Sequence, residues 1–83
     1  MFGKKPRLKI VFQAKKNSDT KLIIEPWAEE FLAEAEKPIE LEFLDPAKNY
    51  GMIIEISQDG EAIILWPNDP NSIHFYKDGR RIG

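Results

Sequence analysis

The chain has 83 residues, no cysteine and a formal net charge of −2, with 42% hydrophobic and 31% charged residues. That length bounds it to one domain near the lower limit for unaided folding, and the missing cysteines exclude disulfides and thiolate metal sites. No apolar run approaches the roughly 20 residues that span a bilayer, and Lys9 interrupts the only early apolar run, so no secretory leader is visible. A soluble, cytoplasmic chain without a membrane partner is expected.

The small net charge conceals an uneven distribution. Residues 1–21 sum to +6, 22–47 to −7, 48–76 to −3 and 77–83 to +2. Opposite charges on the outer faces of neighbouring strands would account for this, as would a partner steered toward one pole. The first explanation is the commoner one in small sheets.

Residues 1–6 read as a basic arm bounded by Gly3 and Pro6, and 7–83 as a single β domain. The segment 7–13 alternates, with Leu8, Ile10 and Phe12 inward and Lys9, Val11 and Gln13 outward. Lys15 to Asp19 form a polar turn, and 20–25 gives a second strand with Leu22 and Ile24 inward, so the two together predict a hairpin. Residues 25–37 admit two readings. Pro26 at a first helical position, Glu29 and Glu30 in the first turn, and Trp27, Phe31 and Ala35 on one face suit a short helix. An extended segment ending at Pro38 suits the same residues.

The clearest alternation runs over 38–76. Ile39, Leu41 and Phe43 oppose Glu40 and Glu42, and Met52, Ile54 and Ile56 oppose Ile53, Glu55 and Ser57. Asp59-Gly60 supplies a tight turn into 61–66, which is apolar on both faces: Ala62, Ile64 and Trp66 on one, Ile63 and Leu65 on the other. Such a strand is expected to be central and covered on both sides. Residues 67–71 are a proline-rich turn, and Ile73 and Phe75 then oppose Ser72, His74 and Tyr76. The fold class expected is all-β, a small antiparallel sandwich or partly open barrel of about six strands, with room for one helical turn after Pro26. The last four strands read as a meander, and Ile54, Ile56, Ile64, Phe43 and Phe75 as one core.

Catalytic chemistry finds little support. His74 is the only histidine, and no acidic loop has calcium spacing, so neither a metal nor a cofactor is expected. Ser72, His74 and Tyr76 share a strand face, which alternation produces without any enzyme, and no glycine-rich elbow or phosphate loop accompanies them. No catalytic residues are assigned. Lys4, Lys5, Arg7, Lys9, Lys15 and Lys16 form a basic patch that could track a single nucleic-acid strand. The acidic whole-chain pI of about 5.4 and the inward placing of Phe12 count against nucleic acid as a partner. Trp27, Tyr50 and Trp66 lie at strand ends and, with His74 and Tyr76, are the candidate binding residues. Tyr and Trp at such positions serve as core caps or as binding anchors.

The element Glu25-Pro26-Trp27-Ala28-Glu29-Glu30-Phe31, with Trp66-Pro67 and Tyr76-Lys77-Asp78-Gly79 further on, resembles a group of small bacterial β-rich proteins of unknown function. Ala28 stands where that group carries glycine, and Glu36-Lys37-Pro38 where it carries Pro-Gly. The resemblance implies a β-rich fold and moves 29–33 from helix toward an extended segment. It implies no activity. The expectation for function is therefore a non-enzymatic interaction module with an unidentified protein partner, as a monomer or weak homodimer. Single-stranded nucleic-acid binding and small-ligand binding at the Trp/Tyr end are the alternatives.

Overall fold

Alternation is obeyed most strictly in Ile39–Phe43, where three apolar residues are buried and the two intervening glutamates are half-buried. The computed structural model describes residues 7–83, so the expected basic arm lies outside the described residues. Eight strands are formed: β1 (Leu8–Phe12), β2 (Asp19–Ile24), β3 (Glu29–Glu34), β4 (Ile39–Phe43), β5 (Ile53–Ile56), β6 (Ala62–Trp66), β7 (Ile73–Lys77) and β8 (Arg80–Arg81). They make two four-stranded sheets, ordered β1-β4-β7-β8 and β3-β2-β6-β5. The class is all-β and sandwich-like, with no closed barrel.

The inner faces supply one core: Leu22, Ile24, Ala33 and Leu65 from the second sheet meet Ile39, Leu41, Phe43, Ile73 and Phe75 from the first. Ile10, Phe12, Phe31, Met52 and Ile63 pack at its margin. Burial of this apolar surface is the main favourable term available to a chain without disulfides. Phe31 stacks on Phe75 with ring centroids 5.0 Å apart, and Lys77 Nζ donates to the Leu32 carbonyl at 2.8 Å and to Glu34 Oε1 at 2.7 Å. These contacts tie β7 to β3 and close one side of the sandwich.

Two short 3-10 turns, Pro46–Asn49 and Pro70–Ser72, each follow an aspartate, and they are locked together through Asn49. Its buried amide donates to Ser72 Oγ at 2.9 Å and to the Asp69 carbonyl at 3.1 Å, while its Oδ1 accepts from the Asp69 N–H at 2.8 Å. A buried amide with both ends satisfied fixes two loops at once.

The topology differs from the expected one in five respects. Residues 7–13 and 20–25 are not a hairpin: β1 pairs with β4, and β2 pairs with β3 and, in parallel, with β6. The turn chemistry of residues 15–19 permits a change of sheet as readily as a hairpin. The last four expected strands are not a meander, because β4 pairs with β7 while β5 pairs with β6 in the other sheet. No helical turn follows Pro26. Ala28 lies at φ 55°, which breaks any right-handed turn, and β3 then pairs with β2 over six residues. That left-handed φ is one glycine adopts without strain.

Ile54 and Ile56 share the core-side face of β5 but stay 49% and 71% exposed at the edge of the second sheet, outside the core cluster. Ile64 sits on the outer face of β6, half-buried, so only Phe43 and Phe75 of the five expected core residues belong to the core. Finally, β6 is central as expected, but among the described residues only its inner face is covered by a second sheet.

Candidate functional site

The outer face of the second sheet carries the largest departure from a half-buried pattern. Strand register places Glu30, Ile23, Ile64 and Glu55 in one row across β3, β2, β6 and β5. Leu32, Lys21 and Ala62 form the row on one side of it, and Trp66 and Ile53 the row on the other. Leu32, Ile23, Ile64, Trp66 and Ile53 therefore make a diagonal apolar strip with carboxylates at its margins. Ile53 is 61% exposed, and Leu32 and Trp66 are also exposed. A contiguous apolar strip that the described residues leave uncovered marks a surface that gains by being covered.

Local interactions hold this strip in shape. The indole Nε1–H of Trp66 donates to Glu55 Oε1, which orients the ring across the β5–β6 ladder. Lys21 Nζ lies 3.8 Å from Glu30 Oε1. At the far end the Ser57 hydroxyl donates to Asp59 Oδ1 at 2.6 Å, and the Glu61 N–H donates to the same oxygen at 2.9 Å. The Ser57 hydroxyl and then the Glu61 N–H hold the Asp59 carboxyl below its ordinary range. A shallow depression of about 470 Å³ runs beside Lys21, Leu32, Ala62 and Asp59.

The five candidate aromatic and histidine residues are divided between the two sheets. Trp66 joins the apolar strip. Tyr50 follows the first 3-10 turn at the start of the β5 arm, 87% exposed, with its carbonyl accepting from Asn68 Nδ2 at 2.9 Å. Trp27 sits in the β2–β3 turn, 62% exposed, beside a depression of about 330 Å³ that also touches Ile24, Pro70, Ile73 and Arg81. His74 and Tyr76 lie on the outer face of the first sheet, their rings edge-on at 6.3 Å. They do not share a site with the tryptophans. Ser72, expected to share the exposed face of His74, is instead buried within the second 3-10 turn and donates to the Asp69 carbonyl at 2.8 Å.

The first sheet's outer face is polar apart from Val11. Lys9, Glu42 and His74 form one row, and Val11, Glu40, Tyr76 and Arg81 the next. Arg7 Nη1 lies 3.4 Å from Glu42 Oε2, and the Tyr76 hydroxyl donates to Glu42 Oε1 at 3.5 Å. Four residues of the expected basic patch are described. Arg7 and Lys9 stand beside the glutamates of β4, Lys15 and Lys16 lie in the β1–β2 connection, and Lys4 and Lys5 fall outside the described residues. Among the described residues, no group of three or more His, Asp or Glu is arranged to hold a metal ion.

Sequence reasoning passed over Asn49 and the outer strip. Asn49 carries no local signature beyond its place in a polar loop. The strip did leave a signal, in the continuous apolar run of Ile63, Ile64, Leu65 and Trp66. Comparisons with family models, with curated proteins and with solved structures give no match for this chain.

Proposed function

We propose that this protein is a small non-enzymatic binding module that docks a protein partner on the outer face of its second sheet. The observation that carries the proposal is β6, a central strand apolar on both faces, of which the described residues cover one. An apolar strip edged by Glu30, Glu55 and Lys21 matches the usual plan of a protein interface, an apolar centre within a polar rim. Trp66, oriented by Glu55, is the natural anchor, since tryptophan dominates the energetics of such surfaces. The placing of Arg7 and Lys9 beside Glu42, which offsets their charge, favours this reading over nucleic-acid binding.

Selection from a displayed library of random peptides tests the proposal. Apolar peptides should be enriched, with binding weakened at least about tenfold by Ile64→Lys and left unchanged by Tyr76→Ala. Chemical-shift changes on binding should fall on β2, β3 and β6. Enriched peptides that bind the Ile64→Lys protein as well as the original, or that map to the first sheet, would refute it.

A further inference from the structure

The two sheets have four lateral edges, and three of them are defended. β1 carries Lys9 and is flanked by Arg7, β3 carries Glu29, Glu30 and Glu34, and β8 is only two arginines long. Charge and shortness are the ordinary devices that keep an edge from pairing with another chain. β5 has neither lysine nor proline, and its single charge, Glu55, is engaged by Trp66. Ile53, Ile54 and Ile56 are all exposed along it.

Among the described residues, no strand pairs with the outer edge of β5. Ser57 N–H donates to the Ala62 carbonyl at 2.9 Å, which makes 57, 55 and 53 the positions hydrogen-bonded to β6. The N–H and C=O groups of Ile54 and Ile56 therefore point away from β6, to the free edge.

We infer that β5 is a self-pairing edge, along which a second copy of this chain joins antiparallel to make one continuous eight-stranded sheet. Self-complementarity argues for a second copy as the occupant. A two-fold axis through Ile54 sets Ile54 against its counterpart in the position where both outward N–H and C=O pairs are satisfied. Each Ile56 then faces a Met52, and each Glu55 faces an Ile53, so no like charges meet. The neighbouring register, centred on Glu55, would set two carboxylates directly opposite each other, which is destabilising. The exposed isoleucines and Tyr50 offer on the order of a few hundred Å² per copy, the size class of a weak, reversible dimer. The inference rests on the second sheet being the interaction surface, but it concerns the edge of that sheet rather than its face.

Sedimentation equilibrium on the whole chain, from about 10 µM to about 1 mM, should show a monomer–dimer equilibrium with Kd on the order of 100 µM. Because the contact is apolar and backbone-mediated, raising salt from about 0.05 to about 0.5 M should leave it unchanged. Ile54→Pro removes an outward N–H from an edge strand, where proline is tolerated, and Ile56→Lys adds the missing edge charge. Each should weaken association at least about tenfold while selected peptides still bind the Ile64 face. Glu55→Gln should leave the dimer unaltered, whereas it would strengthen a dimer centred on Glu55. Should Ile54→Pro fail to fold, Ile56→Lys, at a more exposed position, decides alone. A chain that stays monomeric at the highest concentration overturns the inference, as does a dimer indifferent to Ile56→Lys or one dissolved by salt. Peptide binding that survives those outcomes would leave the docking face standing without the dimer.

Discussion

The two sheets contain four strands each and contribute to one core, yet their outer faces are opposite in character. On the first sheet, Lys9, Glu40, Glu42, His74, Tyr76 and Arg81 turn outward, with Val11 the one apolar residue among them. On the second, Leu32, Ile23, Ile64, Trp66 and Ile53 face outward with polar groups confined to the margins. Water is an adequate partner for the first face and a poor one for the second. The contrast separates what the chain needs for folding from what it has in surplus. Outside β5 the inner faces are used by the sandwich, and among the described residues no further layer covers the apolar area on the outer face of the second sheet.

The largest effect that probes this contrast is truncation on either side of one strand. Phe75→Ala removes a buried ring that stacks on Phe31 and should cost about 3–5 kcal/mol, enough to threaten a domain of this size. Tyr76→Ala, one residue on, faces outward and should cost less than about 1 kcal/mol. Urea melts of both proteins give the comparison directly. Similar costs would mean that the first sheet's outer face contributes to stability as much as its core, and the contrast between faces would fail.

The next effect lies where the two sheets are joined at their loops. Asn49→Ala would strip Asp69 and Ser72 of buried partners and should cost about 2–3 kcal/mol. Asn68→Ala loses a single exposed bond to the Tyr50 carbonyl and should stay within about 0.5 kcal/mol. Amide exchange across β4–β7 and β5–β6 should show Asn49→Ala loosening both sheets together. Loosening of one sheet alone would show that the turns do not couple them.

The smallest effect concerns acid. The Lys77 ammonium, by hydrogen bond and by charge, holds the Glu34 carboxyl below its ordinary range, and this pair joins β7 of one sheet to β3 of the other. A carboxyl with a depressed folded value binds protons more readily when unfolded. Its contribution is therefore complete above about pH 4.5, and is lost as pH falls through the depressed folded value. Asp59, depressed chiefly by the Ser57 hydroxyl, behaves alike within the second sheet. Both groups are open to solvent, so the effect should be small. Thermal melts between about pH 6 and about pH 3 should show Lys77→Ala with a shallower acid decline than the original protein. An identical decline would mean that the ion pair contributes nothing to holding the sheets together.

Much of the inner face is legible in the sequence, because alternation is a local consequence of the pleat. Leu22, Ile24, Ile39, Leu41, Phe43, Leu65, Ile73 and Phe75 are buried where a two-residue period places them. The same period fails at Ile54 and Ile56. Periodicity tells which residues share a face, but it cannot tell whether another sheet extends far enough to cover that face. The tryptophans and tyrosines are legible as types and not as a set: Trp66 and Tyr76 lie on different sheets.

The residues alone determined the all-β class, most of the strands outside 25–37, most of the turns and the lack of a thiol or histidine cluster, since these depend on neighbours within a few residues of each other. Tertiary structure decided which strand paired with which. The parallel contact of β2 with β6, the change of sheet between β1 and β2, and the bond from Asn49 to Ser72 all join residues more than 20 positions apart or depend on such contacts. It also decided that the outer face of β6 would be left open. Local sequence makes a strand apolar on both sides, but only the packing of the whole chain determines whether a second layer remains to cover it.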